Sequence, residues 1–294
     1  MSSSIPYSAT QDDLFYPSKR GNFFPGGRPK SEAALCAEMS RLAYLRQESN
    51  FAFDQVGVRD VLRRIEFSDC EFFESKGKPD EEGIHCFLAQ HLDSPKDDER
   101  LAVLAFRGTD KDDPSDVAYD ENFKLEPWQK GGKVHSGFAH AFAEIWKDLD
   151  PPLRRVDCKI LFTGHSLGAA VATLAASLRR PNTLYTFGSP RVGNSDFIAA
   201  CRDVNSQRYV DCCDIVTRIP LREMGYEHVG KAYYIDRKRR ITFDRNALWT
   251  GLDRIWAAKE YLLKYAWKLG NLAARELADH APINYVWAVS ADQP

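Results

Sequence analysis

The stretch Gly164-His165-Ser166-Leu167-Gly168 constrains the fold of this chain more than any other. An apolar run at 160–163 leads into it, and a Leu/Ala-rich run at 167–178 follows directly. A strand that turns so abruptly into a helix brings neighbouring backbones close together. Side chains at the two flanking positions would clash, so glycine stands at both. Ser166 is thereby raised at the C-terminal edge of a sheet and placed at the N-terminus of a helix. Backbone N–H groups there favour negative charge, and the N–H of Leu167 is expected to face a developing oxyanion.

The rest of the chain supplies what such a turn needs around it. Ser31 is expected to cap a helix reaching about residue 45, with Ala34, Met39, Leu42 and Leu45 near helical spacing. A second helix is expected at 55–65. Strand-length apolar runs lie at 70–73, 84–92, 101–106, 160–163, 184–187 and 206–210, and the polar segment at 93–99 reads as a turn. Strands alternating with helices predict an α/β fold, with a mainly parallel central sheet and helices on both faces. Residues 1–30, rich in Ser, Pro, Gly and aromatics, read as an irregular arm on a single domain at 31–294.

Apolar residues make up 44% of the chain, enough for a sizeable core, and the net charge of −2 gives no basic excess for nucleic acid. Seven cysteines without a C-x-x-C pair argue against a metal site or a disulfide framework. With no visible signal peptide, they predict a cytoplasmic chain, or one exported without a cleaved leader. No run of about 18 apolar residues predicts a membrane span.

A serine is a weak nucleophile until an imidazole takes its proton, and the imidazole needs a carboxylate to hold its tautomer. In an α/β-hydrolase these groups follow in the order Ser, acid, His. Downstream of Ser166 only His228 and His280 are available, and His280 precedes Pro282, where a loop is expected to begin. The acid is chosen among Asp196, Asp203, Asp211 and Asp214.

Five further segments bear on that choice. Val103-Leu104-Ala105-Phe106-Arg107-Gly108-Thr109, Val134-His135-Ser136-Gly137-Phe138, 185–193 (Tyr-Thr-Phe-Gly-Ser-Pro-Arg-Val-Gly), 214–220 (Asp-Ile-Val-Thr-Arg-Ile-Pro) and Asp279-His280 with Tyr285 stand in this order around the Ser166 turn. With that turn they resemble the class 3 lipases, the α/β-hydrolases that include the filamentous-fungal triacylglycerol lipases, over about residues 31–289. The resemblance implies an α/β-hydrolase fold and a serine carboxylic-ester hydrolase with no metal or cofactor. It selects Asp214 as the acid and His280 as the base. It adds the backbone N–H of Thr109 to that of Leu167 as oxyanion donors, and leaves His228 outside the triad. His135, His165 and Arg107 are expected to be structural.

Residues 110–133 correspond to a lid-like segment, but Asp110, Asp112, Asp113, Asp116, Asp120 and Glu121 make it polar. That departure favours a soluble ester over a lipid interface. A helical insertion at 245–278 places Trp249, Trp256, Tyr261, Tyr265 and Trp267 among Arg254, Lys259, Lys264, Lys268 and Arg275. Its aromatics are expected to be core, packed on the sheet; the alternative is peripheral contact with a lipid surface. The expected partner is a small-molecule or lipid ester, with oligomeric state open. A phospholipase A1 or acyltransferase on the same triad is the runner-up, and an inactive hydrolase-fold binding module is the non-enzymatic alternative.

Overall fold

The computed structural model describes residues 6–47, 52–75, 83–92, 99–108 and 123–290. Residues 93–98 of the expected turn, Thr109 and residues 110–122 of the lid-like segment therefore lie outside the described residues.

Local chemistry sets the early elements. Helix α1 (Gln11–Phe15) gives part of the N-terminal stretch regular structure, with the Thr10 side chain accepting from the Asp13 N–H. Ser31 caps α2 (Glu32–Leu42) by accepting from the Ala34 N–H, and Asp54 caps α3 (Gln55–Arg63) through the Gly57 N–H. Strands β1 (Asp69–Glu74), β2 (His85–His91) and β3 (Leu101–Phe106) follow. Next comes a small hairpin of β4 (Leu125–Pro127) and β5 (Lys133–His135), which leads into α4 (Ser136–Leu153). The chain continues through β6 (Lys159–His165), α5 (Leu167–Leu178), β7 (Thr183–Phe187), α6 (Ser195–Ala200) and β8 (Ser206–Asp211). Strands β9 (Ala232–Ile235) and β10 (Ile241–Phe243) precede α7 (Ala247–Lys264), α8 (Arg275–Ala278) and α9 (Pro282–Ser290).

Among the described residues the main sheet runs β1-β2-β3-β6-β7-β8-β9-β10. Strands β3, β6, β7, β8 and β9 run parallel to one another, while β1 and β2 continue the sheet antiparallel beyond β3 and β10 does so beyond β9. This is the mainly parallel sheet of the α/β-hydrolase fold. Strand β3 shows why it needs cover on both faces: every residue from Leu101 to Phe106 is buried. Val103 and Ala105 join one core with Leu35 and Met39 of α2 and Val286 of α9. Ala102, Leu104 and Phe106 point the other way, to Phe142 of α4 and Val171 of α5.

Two expectations are corrected. No loop begins at Pro282; it is the first residue of α9, the one helical position where a missing N–H and a fixed φ cost nothing. The 248–277 stretch does not bury its aromatic and aliphatic residues as a block. Helix α7 faces the body with Thr250, Asp253, Ala257 and Tyr261, while Leu252, Ile255, Trp256 and Leu263 are exposed. Polar anchors hold it instead: Tyr234 donates to Asp253 at 3.2 Å and Arg254 Nε donates to the Cys212 carbonyl at 2.8 Å.

Candidate active site

The turn after β6 has the crowding that its two glycines imply. A Cβ on Gly164 would stand 2.3 Å from the Gly168 carbonyl oxygen, and one on Gly168 would stand 2.4 Å from that of Phe106. Between them Ser166 takes φ +57° and ψ −129°, a conformation L side chains rarely adopt. Its N–H donates to the Phe187 carbonyl at 3.0 Å, so the turn is tied to the neighbouring strand. Leu167 is the first residue of α5, and a first-turn N–H has no acceptor within its own helix.

The turn from Asp211 to Asp214 ends β8, and the loop between α8 and α9 carries His280. Across these segments His280 Nε2 lies 3.0 Å from Ser166 Oγ, and His280 Nδ1 lies 3.0 and 2.9 Å from the two Asp214 oxygens. A carboxylate can only accept, so Nδ1 carries the proton. That leaves Nε2 with its lone pair facing the serine hydroxyl. All three side chains are buried. The structure thus brings Ser166, Asp214 and His280 together, and Leu167 follows the serine directly.

The competing residues lie elsewhere. Asp211 accepts from the Cys212 N–H at 2.8 Å and is bound by Arg239. Asp203 pairs with Arg180 at the surface. His228 is half-buried, and its Nε2 donates to the Thr217 carbonyl at 2.8 Å. Arg107 is buried, with Nη2 donating to the Gly83 carbonyl at 3.2 Å. The His135 ring accepts from the Gly137 N–H at the start of α4.

Several roles in supporting the site escaped the sequence reading. Tyr285 donates to Asp214 Oδ2 at 2.5 Å and accepts from the Asp211 N–H at 3.1 Å, while the Val216 N–H donates to Asp214 Oδ1 at 2.9 Å. His165 donates through Nε2 to the His280 carbonyl at 2.7 Å and accepts at Nδ1 from the Tyr44 hydroxyl at 2.8 Å. The residue beside the nucleophile therefore holds the backbone of the base. Gly188, at φ +60°, lets the pair approach; a Cβ there would stand 2.8 Å from Asp214 Oδ2. Behind His280, Asp279 receives Tyr7 Oη, Arg275 Nε and the Cys213 N–H. Of these, Tyr285 and Asp279 stood in the last motif, Val216 and Gly188 in two others and His165 beside the nucleophile, though without these roles; Tyr44, Tyr7 and Cys213 carried no signal, because their contacts span sequence separations that no local pattern registers.

Cys212, Cys213 and Asp279 place three ligand-type atoms within 4.8 Å of one another. The neighbouring Arg275 guanidinium already balances the Asp279 charge, which makes this a buried charge network.

His165 and His228 make stability depend on pH. Burial pushes both imidazoles well below their ordinary pKa, helped by the His280 ring for His165 and by Arg208 and Arg191 for His228. The unfolded chain takes up these protons near pH 6.5, whereas the folded chain does not. Their contribution is therefore full above about pH 6.5 and falls below it, by up to about 1.4 kcal/mol per pH unit for each ring. Urea unfolding at pH 7.5 and pH 5.5 is expected to show that loss; equal stabilities would mean the rings accept protons in the fold.

Comparison with known proteins agrees with this architecture. Residues 103–224 match the model of the family described as lipase (class 3). The chain is 30% identical over 218 residues to secreted mono- and diacylglycerol lipase 1 of Fusarium solani, covering 62% of this chain and 64% of that one. It thus spans slightly less than two thirds of that relative's length. Lipase II of Rhizopus niveus superposes with a TM-score of 0.52 at 26% identity, over 69% of this chain and 77% of that one. A triacylglycerol lipase described as having a serine protease triad as its catalytic centre superposes at 0.54 and 25% identity, over 72% and 82%.

Against the expectation of a cytoplasmic chain, or of one exported without a cleaved leader, relatives from Fusarium, Penicillium and Malassezia are named secreted, which overturns the cytoplasmic reading and points to export. The inference from thiols was at fault physically. All seven cysteines are free and six are buried, and a chain of this size builds its core without disulfides in any compartment. By motif order, fold and direct comparison, this chain is similar to the class 3 lipases, whose family model it matches over residues 103–224.

Proposed function

We propose that the chain is a serine carboxylic-ester hydrolase acting on lipid esters, with Ser166 as nucleophile, His280 as base and acid, and Asp214 as the orienting carboxylate. The observation that carries this reading is the buried relay from Asp214 through His280 Nδ1 and Nε2 to Ser166 Oγ. As Ser166 Oγ bonds to the ester carbonyl carbon, His280 Nε2 takes the serine proton. The carbonyl oxygen becomes an oxyanion facing the Leu167 N–H, with the Thr109 N–H as the second donor by resemblance. The carbon–oxygen bond to the alcohol then breaks, and the alcohol leaves with the proton held by His280. Water gives a proton to His280 and its oxygen to the acyl carbon; the acid departs and Ser166 regains its proton.

Asp214 holds the imidazole in the tautomer this needs and stabilises its charge once protonated. Hydrolysis of p-nitrophenyl esters from acetyl to palmitoyl tests the reading, together with labelling by a fluorophosphonate probe mapped by mass spectrometry. Turnover of at least part of the series with label on Ser166 is expected. Background rates across the series with no label would overturn the proposal in favour of a binding module. A maximum on the long acyl chains is expected for a lipid ester; one confined to acetyl and butyryl would restrict the enzyme to soluble esters.

A further inference from the structure

Helix α7 is amphipathic with its apolar side outward. Leu248, Leu252, Ile255, Leu262 and Leu263 recur at helical spacing on the face away from the body, and Trp256 stands beside them. Leu263 is 73% exposed, Trp267 is 72% exposed, and Leu269 in the loop beyond is fully exposed. A continuous apolar stripe of this size in water marks a contact surface. The body-facing side of the helix is instead held by Thr250, Asp253, Ala257 and Tyr261, and leaves these leucines and Trp256 outside.

Charge identifies what covers the stripe. Residues 245–270 carry the cations Arg245, Arg254, Lys259, Lys264 and Lys268. Their two acids, Asp253 and Glu260, are both bound by Arg237. The Lys259 ammonium lies 5.3 Å from the Trp256 ring centre and that of Lys268 lies 5.8 Å from Trp267, so cations flank the aromatics. A second copy of this surface would bring like charges together. An anionic lipid surface accepts the apolar side chains below its headgroups and pairs with the lysines at their level. No helix among the described residues is long and apolar enough to cross a membrane, so α7 would lie in the interface plane.

We propose that the outer face of α7 and the loop through Leu269 dock the protein on anionic lipid surfaces. The inference rests for its purpose on the lipid-ester reading above. It connects to the site through two hydrogen bonds: Arg254 donates to the carbonyl of Cys212, two residues before Asp214, and Arg275, five residues before His280, donates to the Ala257 carbonyl.

The test is sedimentation of the full chain with phosphatidylcholine vesicles, with and without phosphatidylglycerol. Binding is expected to be at least roughly tenfold stronger to the anionic vesicles and to weaken with added salt. The combined variant Leu252→Ser, Ile255→Ser and Leu263→Ser, and separately Lys259→Glu, Lys264→Glu and Lys268→Glu, are each expected to lose roughly tenfold or more of that binding. Because these side chains are exposed, both variants are expected to keep the parent's melting temperature and its rate on a water-soluble acetyl ester. Ser166→Ala is expected to bind vesicles like the parent, which separates failure of docking from failure of the hydrolase reading. Equal binding of parent and variants, or equal binding to both vesicle types, would overturn the proposal. A parent dimer that the leucine variant dissociates, with no vesicle binding, would assign the face to self-association instead.

Discussion

Ser166→Ala is expected to abolish ester hydrolysis, lowering kcat by about 10^6-fold, while the protein stays folded. The expectation of intact folding is specific to this position. Ser166 is strained at φ +57°, but alanine has the same Cβ and meets the same strain, so the exchange leaves the turn as it was. Nor does the hydroxyl hold the turn together. The backbone does, through the Ser166 N–H to Phe187 and the Ser166 carbonyl to Ala169 and Ala170. What is lost is the attacking oxygen and the hydrogen bond to His280 Nε2. Steady-state rates on a short p-nitrophenyl ester, with circular dichroism of both proteins, check it. A variant retaining more than a few per cent of the rate would place the nucleophile elsewhere.

Asp214→Asn is expected to lower kcat by about 10^4-fold with little change in KM. The carboxylate accepts from His280 Nδ1, the Val216 N–H and Tyr285 Oη, three donors for two oxygens. Asparagine offers one acceptor oxygen and an NH2 group. Val216 can only donate and keeps the oxygen, so the NH2 turns toward the imidazole. His280 then carries its proton on Nε2 and cannot take one from Ser166. A stability loss of about 1–3 kcal/mol is expected as well, because a buried donor is left without its acceptor. Initial rates at several substrate concentrations, with urea unfolding, separate the two effects. A rate within tenfold of the parent would remove Asp214 from the relay.

Much of this arrangement was legible because it is written in short-range chemistry. Gly164 and Gly168 announce a close backbone approach, and Ser31 announces a helix start. The residues at 101–106 announce a strand buried on both faces, since no polar side alternates with the apolar one. Helix 167–178 was readable to the residue, with its small side chains packing against β3 and β6. The aromatic insertion misled for an equally physical reason. Composition says that Leu252, Ile255 and Trp256 leave water when they can, but not against what, and α7 is held by Asp253, Arg254 and Tyr261 on its other side. Burial was inferred where an exposed surface was present.

The turn that raises Ser166, the helix starts and the alternation of strands and helices follow from residues close together along the chain. Their causes are local: steric crowding in a tight turn, helix capping, and the period of apolar side chains. The choice of Asp214 and His280, by contrast, came from the resemblance of separated motifs. The approach of His280 to Asp214, the support from Tyr285 and His165, and the tie from Tyr7 to Asp279 join residues 66 to 272 positions apart. Such contacts depend on how β8, α8 and α9 come to rest against one another, and no local pattern carries that information. The fold decided them because buried donors and acceptors must find partners, and in the packed interior only these were within reach.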